Sequence, residues 1–464
     1  MQSLIDIAEA VRTGKQSARD VLEQSLDAIA RKNGELNAFI MLDADAAYEQ
    51  ADSIDARVAR GDDPGKLAGV PIGVKDFEDC VGFQTTKGSL LLQDAPVATQ
   101  DSIHVARLRA AGAVIVGKTN MPEFGMDGAT HNKLWGITRN PWNLEFTPGG
   151  SSGGSSAAVA SGMIPLGTAS DAAGSTRQPA AYTGTVGLLP AHGRIPKANG
   201  FSNWACHGAV TRSVLETARY LDVVSGPDDH DRQSLPAPGM VYEREAEAFD
   251  VSGLRAAWSP DLGYAVVEPE ILDICERAAK KLIEAAALEA VKRDCHVANA
   301  YMPLALVNLW KMKSDMETEG TFAASLPYLA DQTQGWLKRM VDITAQDILD
   351  AWKVIYQLES DMADLFADID VLLTPATACS PYTADAPIPQ VIDGRDASMS
   401  GGEPFGPPPN ICWNPSISVP AGLTSSGLPV GLQITVRRHH DHVALRLARL
   451  WEIAQPWSFP WDEG

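Results

Sequence analysis

Apolar residues recur at helical spacing through much of the chain and gather into short unbroken runs elsewhere. In "SARDVLEQSLDAIARKN", Leu22, Leu26 and Ile29 share one face, and Ser17 stands where a helix cap belongs. Residues 1–60 as a whole read as helical. "AGVPIGVKDF" breaks the period: it is a short apolar run bounded by glycine and proline, the pattern of a buried strand. "DSIHVARLRAAGAVIVGKTNM" reads as a helix, a glycine turn and a strand from Ala113 to Gly117. Alternation of helices with strands predicts an α/β fold. "SVLETARYLDVVSG" is an amphipathic helix, residues 227–250 are a polar surface loop, and residues 268–368 are mostly helical. "DIDVLLTPATA", "SISVPAG" and "PVGLQITV" are strands, and "DHVALRLARLWEIAQ" closes the chain as a helix. The stretch 383–410, rich in proline and glycine, has no period. It is long for a structureless connection, which predicts a functional or mobile segment. With no repeat and no linker, one domain over residues 1–464 is the simplest division. Within it lie a helical segment (1–60), a core (61–225), a mainly helical variable section (226–368) and closing strands with a helix (369–464).

Composition narrows the partners. The formal charge of −21 over 464 residues repels phosphate backbones and anionic lipid, which disfavours nucleic acid and membranes. No apolar run spans a bilayer, and the first twenty residues lack the basic-then-apolar order of a signal peptide. Cysteines 80, 206, 275, 295, 379 and 412 form no CxxC pair, so reduced thiols and a cytoplasmic location are expected.

The chemistry concentrates in "TPGGSSGGSSAAVASG", Thr147 to Gly162. A linker would lead into polar sequence, but this stretch leads into an alanine-rich helix and a strand. A phosphate loop would carry a lysine in GxxxxGK[ST], and none is present. A nucleophile elbow matches GxSxG at Ser151 or Ser152, but it needs a strand immediately before it and a later histidine. His192, His207, His230, His296 and the 439–442 group qualify by order alone.

Two distant residues offer another reading. Lys75 sits inside an apolar strand, where an ammonium is costly unless paired or neutral. Asp76 and Asp79 are candidate partners, but Asp76 faces the opposite side of a strand. A desolvated lysine can act as a base in Ser–Lys catalysis. Ser175, in "SDAAGSTRQP", lies among small residues whose backbone N–H groups can converge as an oxyanion hole.

At this point the chain resembles the amidase signature hydrolases. The resemblance rests on "GVPIGVKD", "VGKTNMPEFG", "RNPWN", "PGGSSGGSSAAVASG", "GTASDAAGSTRQPAA", "GLLPAHGRI" and "PSISVPAG…LPVGLQI", in the family's order from about residue 15 to the last helix. It implies a mixed, twisted sheet of about eleven strands flanked by helices (α/β/α). It implies Lys75 as base, Ser151 after a cis Gly150–Ser151 bond as proton relay, and Ser175 as acyl-accepting nucleophile. The N–H groups of Ala172, Ala173, Gly174 and Ser175 would hold the oxyanion. Asp171 and Arg177 would orient the loop, with a structural ion pair as the equal alternative, and Ser152 and Ser155 would support it by hydrogen bonds. The chain departs from many relatives in having Ala172-Ala173 where they carry Gly-Gly. The implied activity is cleavage of amide C–N bonds with no cofactor and no metal requirement, by a monomer or homodimer.

Substrate choice is less legible. Trp204, Cys206 and His207 follow the nucleophile segment, and Met126, Trp135 and Ile411 could add apolar lining. In "PPNICWNPSISVP", Pro409 and Trp413 stand where the family often has Phe and Gly, so Trp413 is a candidate pocket wall, with core packing as the even alternative. Together these suggest an aromatic or aliphatic amide, an anilide or an aryl carbamate. Two other readings are the glutamine-using subunit of a tRNA-dependent amidotransferase, whose "RYDG" and "EVKRRI" stretches are absent here, and a GxSxG esterase. "RRHHDH" at 437–442 is read as a solvated helix start rather than a metal site.

Overall fold

The computed structural model describes residues 2–198 and 203–460. Its strands, in chain order, are β1 (Phe39–Leu42), β2 (Pro71–Lys75), β3 (Val114–Thr119), β4 (His131–Asn132), β5 (Gly136–Ile137), β6 (Leu166–Asp171), β7 (Val186–Leu189), β8 (Cys206–Thr211), β9 (Arg255–Trp258), β10 (Glu289–Ala290), β11 (Val371–Pro375), β12 (Val391–Ile392), β13 (Arg395–Asp396), β14 (Ser416–Leu423) and β15 (Pro429–Val436). Eleven of them form one mixed sheet in the order β1-β3-β2-β6-β8-β7-β14-β15-β11-β9-β10. β4 pairs with β5, and β12 with β13, as separate hairpins. β2 runs parallel to both neighbours, β3 and β6. A parallel pair needs a crossover, and the helix Ile103–Ala110 supplies it between β2 and β3. All five residues of β2 and all six of β3 are buried, as expected where helices cover both faces of a sheet.

Local chemistry explains the helix boundaries. Ser17 Oγ accepts from the Asp20 N–H at 3.0 Å and starts the helix Ala18–Leu36. Ser213 and Glu216 form a reciprocal capping box at Val214–Val224. The expected helices across 268–368 are present at Pro269–Ala285, Tyr301–Thr318, Phe322–Ser325, Asp331–Arg339 and Ala345–Asp368.

Four expectations change. Residues 1–60 are not wholly helical, because Phe39–Leu42 pairs antiparallel with β3, a partner far along the chain that no local period reveals. The 227–250 stretch is not all loop. Tyr242–Ala248 is a helix whose first N–H groups are capped from outside by Asp222, with Tyr242 N donating to Oδ1 at 2.7 Å. The 383–410 stretch carries the β12–β13 hairpin and leads into the helix Pro407–Ile411. It is tied down by Arg395 Nη2 to the Val267 carbonyl (2.9 Å) and by the buried Phe405. In "RRHHDH", Asp441 is fully buried and accepts from Ala191 N at 2.7 Å and Arg194 Nε at 3.3 Å, so that helix start is partly core.

Apolar packing falls into two clusters. The main one follows the sheet. A satellite gathers Leu309, Met316, Leu329, Leu337 and Met340 from the helical section, with Phe124 and Met126 packed against it. All six cysteines are free and buried. No helix among the described residues is long and apolar enough to cross a membrane.

Candidate active site

Three segments meet where β2 ends. Lys75 is the last residue of β2 and is fully buried. Its Nζ lies 2.7 Å from Ser151 Oγ, 2.8 Å from Ser152 Oγ and 3.0 Å from Ser170 Oγ. No carboxylate is among these partners. Asp76 faces away, as strand alternation predicts, accepting from Thr86 N at 3.0 Å and lying 3.5 Å from Lys118 Nζ. Burial pushes Lys75 down to about 7, against the weaker opposing pull of the Asp171 and Glu78 charges. Near neutral pH a large share of the amine is therefore unprotonated, with a lone pair to receive a proton.

The serine stretch is held tightly. The Gly150–Ser151 peptide bond is cis, as the resemblance implies. Gly150 N donates to Gln178 Oε1 at 2.9 Å, and Thr130 Oγ1 donates to the Gly149 carbonyl at 2.7 Å. Gly125 (φ +74°) passes close by: a Cβ there would lie 3.2 Å from Ser151 Oγ, so a side chain would press on that hydroxyl. Ser155 donates to the Thr168 carbonyl and pairs with Thr119 Oγ1, both at 2.7 Å, locking the following helix to β3 and β6. No strand precedes Thr147 directly, which removes the nucleophile-elbow reading.

Ser152 N donates to the Ser175 carbonyl at 3.2 Å, which stitches the serine stretch to the turn after β6. Ser175 is half-buried there, between Gly174 (φ +117°) and the helix Arg177–Thr183. Below the turn lies a buried ion pair. Arg177 Nε and Nη2 each bond Asp171 at 3.0 Å, and the guanidinium also reaches Gln433 Oε1 (2.9 Å), the Gly406 carbonyl (2.9 Å) and Asn410 Oδ1 (2.5 Å). Burial works against the Asp171 charge, but Arg177 and the N–H groups of the turn hold its carboxyl below the usual range. The expected orienting and ion-pair roles of these two residues thus coincide in one fork-to-fork contact. Gly406 packs so closely that a Cβ would lie 1.8 Å from the Ala173 carbonyl oxygen.

One donor differs from expectation. Gly174 N–H is committed to Asp171 Oδ1 at 2.7 Å and does not face outward. Among the described hydrogen bonds, the N–H groups of Ala172, Ala173 and Ser175 have no such acceptor.

The expected pocket residues divide. Met126 adjoins Gly125 above Ser151 and joins the satellite apolar cluster. Trp204 is buried and its carbonyl accepts from Asn410 Nδ2 at 3.1 Å, the amide that also donates to the Asp171 carbonyl. Trp135 instead donates to Thr86 Oγ1 at 2.9 Å in the β4–β5 hairpin. Cys206 lies 3.7 Å from His192 Nδ1, and His207 turns toward Glu78 and His104. Ile411 and Trp413 line a cleft of about 740 Å³ against Tyr356, Met362 and Phe366, and Trp413 stacks on His192 at 4.5 Å. The side chains of Trp135, Cys206, His207 and Trp413 thus have partners away from Lys75 and the serines around it, and Ile411 lines the cleft beside Trp413.

Sequence reasoning missed Ser170, a strand-end polar residue whose side chain falls on the Lys75 side only once β2 and β6 are paired. It also missed Asn410 and Gln433, whose contacts with Arg177 span more than 230 positions. Glu403 was missed as well. It is buried, its Oε1 has no partner, and a Cβ on Gly128 would lie 2.3 Å from that oxygen. Burial, then the Asp127 charge, pushes Glu403 up to about 8.

Known proteins match this chain along most of its length. The amidase family model matches residues 20–445. The chain is 34% identical to an acylamidase of Rhodococcus erythropolis over 98% of its own length and 96% of the relative's. It is 32% identical to a glutamyl-tRNA(Gln) amidotransferase subunit of Corynebacterium jeikeium, over 97% and 95% of the two chains. Among solved structures, a bacterial aryl acylamidase of the amidase signature enzymes superposes with a TM-score of 0.91 at 30% identity, covering 98% of this chain and 96% of that one. A 6-aminohexanoate cyclic dimer hydrolase superposes at 0.85 with 27% identity, covering 99% and 98%.

Proposed function

The chain belongs to the amidase family of C–N hydrolases, and from that premise we propose that it cleaves apolar or aromatic amides and anilides, and aryl carbamates, through an acyl-enzyme on Ser175. The observation that carries this reading is Lys75: a buried amine without a counter-ion, 2.7 Å from Ser151 Oγ. A lysine kept only for structure would be paired. Neutral Lys75 accepts the Ser151 proton as Ser151 takes that of Ser175, and Ser175 Oγ bonds to the substrate carbonyl carbon. The N–H groups of Ala172, Ala173 and Ser175, which have no acceptor among the described hydrogen bonds, stabilise the oxyanion. The C–N bond then breaks, the relay returns the proton to the leaving amine, and water releases the acid. The Asp171–Arg177 pair holds the turn that aims these donors.

The substrate preference rests on Phe124 and Met126, which pack against the satellite apolar cluster and flank Gly125, the residue that approaches Ser151. The names of the acylamidase relatives support the same class. A small-molecule substrate suits the −21 charge better than a nucleic acid does, and six free thiols suit a reducing cytoplasm. The test is hydrolysis of an acyl nitroanilide, an aliphatic primary amide, an aryl carbamate and glutamine by wild type and Ser175→Ala. Ser175-dependent release of aromatic amine supports the reading, whereas turnover of glutamine alone would replace it with an amidotransferase role.

A further inference from the structure

Just past the end of β2, three buried titratable side chains from separate elements converge. Glu78 follows β2, His104 lies in the first turn of the helix Ile103–Ala110, and His207 is on β8. Their exposures are 2%, 0% and 7%. Glu78 Oε2 lies 2.7 Å from His104 Nδ1 and 3.3 Å from His207 Nδ1. One ligand atom from each residue falls within 4.8 Å of the other two. Two of the facing atoms, Glu78 Oε1 and His207 Nδ1, have no hydrogen-bond partner. Buried polar atoms are rarely left so, and each orphan is unfavourable.

The surroundings are those of a held ligand set. Tyr220 OH lies 2.7 Å from His104 Nε2, which gives that ring nitrogen a fixed partner. Metal-binding imidazoles are generally oriented this way through their second nitrogen. Lys118 Nζ donates to the Glu78 carbonyl at 2.6 Å and fixes its backbone, while Ser102 Oγ donates to Oε2 at 3.4 Å. The two imidazole rings stack with centroids 4.9 Å apart, both Nδ1 atoms turned to the same carboxylate oxygen. A carboxylate in dry core needs a cation, and the nearby ammonium of Lys118 also serves Asp76.

We propose that Glu78, His104 and His207 form a site for one divalent transition-metal ion, with zinc the best match to a two-imidazole, one-carboxylate donor set. Binding the ion releases the proton of the His104–Glu78 contact to solvent, and the two ligand atoms, 2.7 Å apart without metal, separate to accept tetrahedral bonds of about 2 Å each. His104 then carries its hydrogen on Nε2 and donates it to the Tyr220 oxygen. No bond of the amide substrate is broken there: the site ties the end of β2 to β8 and to the crossover helix.

The test uses the full chain and does not depend on amide hydrolysis. Protein stripped with chelator is given Zn²⁺ or Co²⁺, desalted and analysed for metal. Retention of about one equivalent is expected, with visible d–d absorption from Co²⁺ and a thermal midpoint raised by Zn²⁺. His207→Ala and Glu78→Gln should each retain less than about a tenth of that, whereas His440→Ala, in the histidine group before the last helix, should retain all of it. Failure of wild type to retain metal, or equal retention in His207→Ala and Glu78→Gln, overturns the site. If either variant unfolds, the wild-type Co²⁺ spectrum decides, and the absence of d–d bands of low-coordinate cobalt refutes the proposal.

Discussion

Lys75 and Lys118 stand on adjacent strands of one sheet, both wholly buried, and they live in opposite surroundings. Lys75 meets three serine hydroxyls and no carboxylate. Lys118 has Asp76 at 3.5 Å, the Glu78 carbonyl at 2.6 Å and Thr85 Oγ1 at 3.2 Å. Burial lowers both amines, but at Lys118 the Asp76 carboxylate pushes directly back. Depth in the core is common to the two. What differs is the adjacent anion: Asp76 favours the charged form of Lys118 at close range, and Lys75 has no such carboxylate among its hydrogen-bond partners.

Substitutions at either lysine should expose this contrast. The largest effect is expected from Lys75→Met and Ser175→Ala, each lowering kcat/KM by roughly 10⁴-fold or more, with Ser151→Ala added to either costing little further because the three act as one unit. The thermal midpoint of Lys75→Met should be unchanged or higher, since no carboxylate loses a direct partner. Single-turnover kinetics and a melting curve check both. Lys118→Met should do the reverse. Leaving the Asp76 charge buried without its ammonium, held only by Thr86 and Gly88, costs about 3–5 kcal/mol of stability, read by denaturant titration, while kcat of the folded fraction stays within a few-fold. Third, the pH profile of kcat/KM should have an acid limb near 7, falling about tenfold per unit below it, because the base must be unprotonated. The folded-state value lies below the unfolded one, so the unfolded chain binds the extra proton between about 7 and 10.5, and this group's contribution to stability improves as pH rises through that window. A flat profile would make Lys75 a second brace. The smallest effect is Thr85→Val, which removes one hydroxyl from Lys118 for about 1 kcal/mol without moving the acid limb.

Much of this was legible before any coordinates. The apolar run around Lys75 marked a buried strand, and the order of the serine-rich pieces marked the fold and the residues that meet at Lys75. What stayed hidden depends on contacts made at long range. β1 exists because β3 accepts it, although its neighbours favour helix. Asn410 and Gln433 become supports for Arg177 only when the two halves of the sheet join. His207 reads as a pocket residue from its place after the nucleophile, and it does pair with Ser170 in the β6–β8 ladder. Its ring nevertheless turns to Glu78 and His104, because a buried carboxylate brought in by another element draws it there. For Trp413, an aromatic beside a proline-rich turn is visible in the sequence, but the stacking of its ring on His192 is not.

The two apolar clusters bear on how such a molecule changes over generations. Their buried members are disjoint, and Leu306 packs against both. Substitutions among Leu309, Met316, Leu337 and Met340 therefore perturb a small, separate body of packing that abuts Phe124 and Met126, while the sheet that aims Lys75 and the serines keeps its own cohesion. Selection can revise the packing around Phe124 and Met126 without disturbing the packing that holds Lys75 in place.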